Sequence, residues 1–261
     1  MALAATKAAD RVVAIAVVCD GVSGSSRPDE ASAAATEAAI GVLIPAARAG
    51  QDAAAASLQA VQAAQSAVAG LAGPAGSTAA LDAPSATFVS AVVSTDSVTV
   101  CWLGDSRAYW LDATASSAAR QLTTDDSVAA QMVTAGLLSE AAALDSRQAH
   151  VVTGWLGADV SETAPHVMTF APPGPGVVLI CSDGLWNYQP HAAGLAERAL
   201  PAALTRPLDT ARMLVDFALQ SGGHDNVTVV LAPFPPDEAL LPPADPVLIR
   251  EDVHPKEKDD E

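Results

Sequence analysis

The sequence predicts an α+β fold of layered, largely antiparallel sheets, and three observations carry that prediction. Short β-branched runs fall in adjacent pairs along the chain. The helix candidates also come in pairs, without strict strand–helix–strand alternation. Half of the 261 residues are hydrophobic, enough for a substantial core in one large or two small domains. A disordered or collagen-like chain is excluded on the same ground.

Taken in order, the first strand candidate is Val12–Cys19. Ser26-Arg27-Pro28-Asp29 then supplies a capping serine, an early proline and an acid, so a helix is expected to about Ile40. A low-complexity Ala/Gln helix comes next, from about Asp52 to Val68, and ends in the turn-rich stretch Gly70–Gly76. Thr87–Val93 and Ser97–Leu103 form a strand pair, with a shorter candidate at Ala108–Leu111. Ser127 and Ser139 open two short helices before His150. Val177–Cys181 is a strand, Asp209 precedes a helix that stops at Ser221-Gly222-Gly223, and Val227–Leu231 is the last strand. There is no solenoid-type repeat. From Ala232 onward prolines accumulate and the end is charged. One domain is therefore expected over residues 1–232, with a Pro-rich acidic tail over 233–261 that is disordered.

Asp and Glu number 30 against 13 Lys and Arg, for a net charge of −17. Such a chain has no electrostatic footprint for nucleic acid or an anionic membrane. It suits carboxylates gathered around cations. The uncharged run Ala53–Gly73 is mostly Ala, interrupted by Gln59, Gln62, Gln65 and Ser66, and is too weakly apolar to span a bilayer. Met1–Asp10 lacks the basic-then-apolar order of a signal peptide, so a cytoplasmic protein is expected. Cys19, Cys101 and Cys181 sit in or at the end of apolar runs, as buried free thiols do.

Three apolar runs end in an aspartate. They are Val17-Val18-Cys19-Asp20-Gly21, Val100-Cys101-Trp102-Leu103-Gly104-Asp105 and Leu179-Ile180-Cys181-Ser182-Asp183-Gly184. A fourth aspartate, in His224-Asp225-Asn226, precedes a strand. A carboxylate at a buried strand end is costly unless compensated, and four at one sheet edge repel strongly without cations between them. Hard oxygen donors suit Mg2+ or Mn2+ rather than zinc. Any single Asp-Gly pair is more simply a turn signal; the combination favours the metal reading.

These residues resemble the bacterial form of the metal-dependent type 2C Ser/Thr protein phosphatases. The resemblance rests on Asp20-Gly21-Val22-Ser23-Gly24, Gly76-Ser77-Thr78-Ala79 and Gly104-Asp105-Ser106-Arg107-Ala108-Tyr109. It continues through Leu122-Thr123-Thr124-Asp125-Asp126-Ser127, Val151–Gly157, Cys181–Trp186 and Gly223–Thr228, and covers roughly Val12 to Ala232. It implies a four-layer α/β/β/α sandwich with a two-metal centre at one edge. By the same resemblance Asp20 bridges both ions, the Gly21 carbonyl binds one, and Asp183 and Asp225 bind the other. Asp105 with Asp183 resembles a third, weaker metal site, Asn226 orients the ligands, and a flap at about 127–148 borders the substrate groove. The resemblance also implies metal-assisted hydrolysis, by activated water, of phosphoserine or phosphothreonine in proteins phosphorylated by Ser/Thr kinases. A monomer is expected.

Rival chemistries find little support. Cys181 is followed by Asn187 where a cysteine phosphatase needs Arg, and no Gly-x-Ser-x-Gly elbow or P-loop occurs. Gly174-Pro175-Gly176 reads as a turn, His224 as a turn support, and Trp155 and Trp186 as core or groove-wall residues. Family members begin with an Arg that binds phosphate and an Asn-Glu-Asp-like motif that supports one metal. Only 19 residues precede Asp20, Met1–Asp10 contains neither, and Met1–Ala5 resembles the stretch just after that motif in the family. The chain is therefore expected to start late and to work slowly, with Arg27 the nearest replacement for the phosphate-binding charge. Val22 stands where eukaryotic members have a His that acts as general acid. Two readings stay open: an active phosphatase, and a weakly active or inactive relative that binds metals and a phosphoprotein partner.

Overall fold

The computed structural model describes residues 1–8, 11–73, 83–144, 146, 151–160, 163–237 and 239. The Gly76–Ala79 motif, part of the flap and the tail from 240 onward lie outside them. The first sheet runs in the order β1 (Ala2–Ala8), β2 (Arg11–Val18), β4 (Phe88–Val93), β5 (Val98–Leu103), β9 (His166–Phe170). The second runs β11 (Val229–Phe234), β10 (Gly176–Cys181), β6 (Arg107–Asp112), β7 (Arg120–Gln121). A two-residue pair joins β3 (Ser85–Ala86) to β8 (Leu156–Gly157). Among the described residues every pairing between these strands is antiparallel.

Period-two alternation builds the layers. In β2, Val13, Ile15 and Val17 face α1 (Pro28–Arg48) and α2 (Ala53–Ala69), while Ala14, Ala16 and Val18 face the second sheet. In β10, Val178 and Ile180 point between the sheets. Val177, Leu179 and Cys181 pack against α5 (Asp183–Trp186), α6 (Ala192–Ala199) and α7 (Pro207–Gln220). Strands covered on both faces read as continuous apolar runs, which is why they stand out in the sequence. The three resulting cores make the expected α/β/β/α sandwich. No helix among the described residues is long and apolar enough to cross a membrane.

Several boundaries differ from expectation, each for a physical reason. The cap of α1 is Arg27, not Ser26, with Pro28 in its first turn. That helix continues past Ile40 to Arg48 because Leu43, Ile44 and Ala46 extend its buried stripe. The bond that Pro45 cannot donate falls to Gly41, which is exposed to water. The last strand runs to Phe234, so the sheet takes in Pro233 and Phe234, two residues past the domain end expected at 232. Proline is tolerated there because β11 is an edge strand, and the Phe234 ring meets Trp110 edge-on at 5.9 Å. Strands β1 and β9, with their Ala, Thr, Lys and His content, form by pairing with β2 and β5. Part of the expected flap is described. Ser127 caps α3 (Val128–Thr134), and Ala129 with Val133 packs on Ala143 of α4 (Glu140–Leu144), apart from the main cores.

Candidate metal centre

Asp20 comes just after β2 and is fastened to Thr87, the residue between β3 and β4. The Asp20 amide donates to Thr87 Oγ1 at 3.2 Å and the Thr87 amide donates to the Asp20 carbonyl at 2.8 Å. Gly21 is pressed against the start of α1, where a Cβ would lie 2.4 Å from Pro28 Cβ, so the close approach requires glycine. The Thr87 hydroxyl also meets Ser106 Oγ at 2.7 Å, linking Asp20 to the turn between β5 and β6. That turn holds Asp105, which is 5 % exposed. The Asp105 carbonyl accepts from Trp186 Nε1 at 2.9 Å.

Asp183 opens α5 at the end of β10, and Ser182 stitches this end to the loop that carries Asp225. The Ser182 amide donates to the Thr228 carbonyl at 3.1 Å. Its hydroxyl donates to the Asn226 carbonyl at 3.2 Å and accepts from the Thr228 amide at 3.0 Å. Gly184 lets the two segments touch, since a Cβ there would lie 2.2 Å from the Asn226 carbonyl oxygen. The Asn226 amide donates to Asp225 Oδ1 at 2.7 Å. The contacts shown for Asn226 are thus made by its backbone, and they tie Asp225 to Ser182.

Electrostatically the four aspartates form one neighbourhood. Burial holds the Asp20 carboxyl well above the usual carboxylate range, and Asp183, Asp225 and Asp105 push it further in that order. Asp105 is pushed up to about 7, by burial first and then by Asp183 and Asp125. Among the described residues no three His, Cys, Asp or Glu side chains already stand in a cation-binding cage. The donor set is nonetheless all oxygen, acidic and mutually repelling, which fits hard divalent cations that draw the carboxylates inward.

The remaining sequence candidates fall outside this cluster. Arg27, with φ of 47°, engages Glu30 at 3.2 Å and the Leu71 carbonyl at 2.6 Å, so phosphate binding by it would exchange these contacts. The His224 amide donates to Tyr188 at 3.1 Å, as a turn support does. Trp186 is a core residue, 2 % exposed, and Trp155 Nε1 bonds Asp159 at 3.1 Å. All three thiols are buried and raised, Cys19 to about 11, Cys101 to about 12 and Cys181 higher still, chiefly by burial.

Sequence reasoning passed over the groups that hold the cluster in place. Thr87, Ser182 and Trp186 are three of them. Another is Arg107, which pairs with Asp125 at 2.7 Å and stacks on the Trp186 ring at 3.8 Å. The motif Gly104-Asp105-Ser106-Arg107 contains Arg107 and Ser106, the hydroxyl partner of Thr87, and that adjacency was the available signal.

Comparisons with known proteins agree with this architecture. The profile of the family described as protein phosphatase 2C matches residues 2–217. The serine/threonine phosphatase Stp of Listeria innocua serovar 6a is 31% identical over 153 residues, 58% of this chain and 57% of the relative. The match thus spans little more than half the length of that curated relative. Among solved structures, Stp1 of Staphylococcus aureus shares the fold with a TM-score of 0.70 at 23% identity, over 88% of this chain and 86% of that one. The catalytic domain of the serine/threonine protein phosphatase PstP, in complex with two manganese ions, aligns with a TM-score of 0.63 at 25% identity, over 86% and 87% of the two chains. With the family profile covering residues 2–217, most of its length, this chain belongs to the protein phosphatase 2C family.

Proposed function

We propose that this chain hydrolyses phosphoserine and phosphothreonine esters of proteins, using two divalent cations, Mg2+ or Mn2+, and a third at a weaker site. The observation that carries the reading is the gathering of Asp20, Asp105, Asp183 and Asp225 into one repelling neighbourhood at a sheet edge. The two manganese ions of the PstP relative support it. Asp20 and the Gly21 carbonyl would serve the two-metal pair with Asp183 and Asp225, and Asp105 with Asp183 the third position. Bound there, the cations supply Lewis-acid activation of water and offset phosphoryl charge. The protein's part is to hold the carboxylates together. Thr87 fixes the Asp20 backbone, Trp186 the Asp105 carbonyl, and Ser182 the Asp183 and Asp225 loops. The cysteines play no part, since their protons are held tightly by burial. Substrates would be products of Ser/Thr kinases, met by a monomer in the cytoplasm.

Melting curves and turnover test this together. If Mn2+ binds only the folded chain, a hundredfold excess over Kd adds about 2.7 kcal/mol, roughly 5–11 °C for a domain of this size. The same Mn2+ should permit hydrolysis of an aryl phosphate and a phosphothreonine peptide. Identical melting curves with and without chelator would overturn the metal reading. A Mn2+ shift without any turnover would favour a metal-binding relative that engages phosphoproteins without hydrolysing them.

A further inference from the structure

The turn that carries Asp105 is gripped by a residue outside the aspartate cluster. Asp126 engages both polar groups of the Gly104 backbone. Its Oδ2 accepts from the Gly104 amide at 2.9 Å, and its own amide donates to the Gly104 carbonyl at 2.9 Å. Gly104 has φ of 105°, and a Cβ there would lie 2.9 Å from Thr87 Cβ and 3.2 Å from the Gly154 carbonyl oxygen. The turn is therefore a glycine-only conformation in a tight slot, and Asp126 supplies its hydrogen bonds.

Asp126 is itself held on its other side. Oδ1 meets His166 Nε2 at 2.8 Å, and the His166 ring stacks on Trp102 with centroids 5.0 Å apart. Trp102 Nε1 donates to the Thr124 carbonyl at 2.9 Å, fixing the chain two residues before Asp126. The Asp126 carbonyl accepts from the Thr153 amide at 2.7 Å. Each polar atom of Asp126 thus has a partner, and none of these partners belongs to the aspartate cluster.

We propose that Asp126 is a positioning residue for the cation site, acting through Gly104 to keep Asp105 in the cluster. Asp126 Oδ2 holds the Gly104 amide, the Asp126 main-chain amide holds the Gly104 carbonyl, and Trp186 Nε1 holds the carbonyl after Asp105. With both peptide planes fixed, the side chain is delivered to Asp20 and Asp183 despite like-charge repulsion. His166 is the strut behind Asp126. The proposal rests on the reading of Asp105 as a cation ligand.

The test uses the full chain, stripped with chelator and titrated with Mn2+ by calorimetry and by Mn2+ paramagnetic resonance. Loss of a partner behind a metal ligand commonly costs 10–100-fold in affinity, so Asp126→Ala should weaken the weakest Mn2+ site roughly tenfold or more. Asp126→Asn keeps an acceptor for the Gly104 amide and should bind within about threefold of wild type. Unchanged Mn2+ affinity in Asp126→Ala, with wild type binding normally, overturns this proposal alone. A wild-type chain that binds no Mn2+ overturns the proposed function and this inference with it. If Asp126→Asn binds as poorly as Asp126→Ala and both melt early in chelator, Asp126 is structural only and the proposal fails. Should Asp126→Ala not fold, His166→Phe keeps a ring on Trp102 but releases Oδ1. Weakened Mn2+ binding in that variant supports the proposal, and unchanged binding overturns it.

Discussion

Adding one methyl group at Gly184 tests whether the contact between the Asp183 and Asp225 segments builds the site. A Cβ there would stand 2.2 Å from the Asn226 carbonyl oxygen, 2.9 Å from its carbon and 3.2 Å from Val227 Cα. Relief to ordinary contact needs a shift of about 1 Å in a segment that Ser182 holds by three hydrogen bonds. Overpacking costs about 1–3 kcal/mol, and rigid backbone on the far side puts Gly184→Ala near 3 kcal/mol. For a domain of this size that is a fall in Tm of roughly 6–12 °C. Gly41→Ala is the control, because Gly41 lies exposed in α1 with nothing within 4 Å of a Cβ. There the same change should stabilise the helix by about 0.5–1 kcal/mol, raising Tm by roughly 1–4 °C. Circular-dichroism melts in chelator read both, and Mn2+ titration of Gly184→Ala should show weakened binding as Asp183 and Asp225 move apart. A Gly184→Ala chain that melts with wild type would refute the argument.

The buried charges lead to further expected outcomes. The Arg107 and Asp125 side chains are 6% and 10% exposed, so Arg107→Ala strands a buried carboxylate and should cost about 3–5 kcal/mol in urea unfolding; an unchanged midpoint would show that the pair contributes nothing. In chelator, Asp20 and Asp105 bind protons more tightly folded than unfolded, Asp105 at about 7 against an ordinary 3.8. The folded state then holds the extra protons between about pH 4 and 7, so their contribution to stability is lost as pH rises through that window. Saturating Mn2+ favours the charged carboxylates and should flatten the fall. Urea midpoints at pH 5 and 7.5 check this, and a rise toward pH 7.5 in chelator would contradict it. Cys19, Cys101 and Cys181 are buried with raised pKa values, so a thiol-alkylating reagent at neutral pH should leave native turnover intact. Mass spectrometry of the treated protein should find three unmodified thiols, and rapid labelling with loss of activity would place a thiol in the chemistry.

The features legible in the chain alone were local ones. Apolar runs buried on both faces marked β2, β4, β5 and β10, and Asp20, Asp105 and Asp183 come just after β2, β5 and β10 in the chain. Asp52, Ser127 and Ser139 could be read as helix starts because a capping oxygen bonds an amide only three residues ahead, as each does here. Tertiary structure decided the features that depended on distant partners. Residues Ala2–Ala8 have little preference for a strand until β2 supplies the register from Ala2↔Val17 to Ala8↔Arg11. The cap of α1 moved to Arg27, whose guanidinium reaches Leu71, 44 residues on. Asp126 looks like one acid in a polar loop, yet it grips Gly104, 22 residues earlier, and His166, 40 residues later. A cap or an apolar run leaves its mark within one turn or one strand. A hydrogen bond across the sandwich leaves none in the chain, because only packing brings its two ends together.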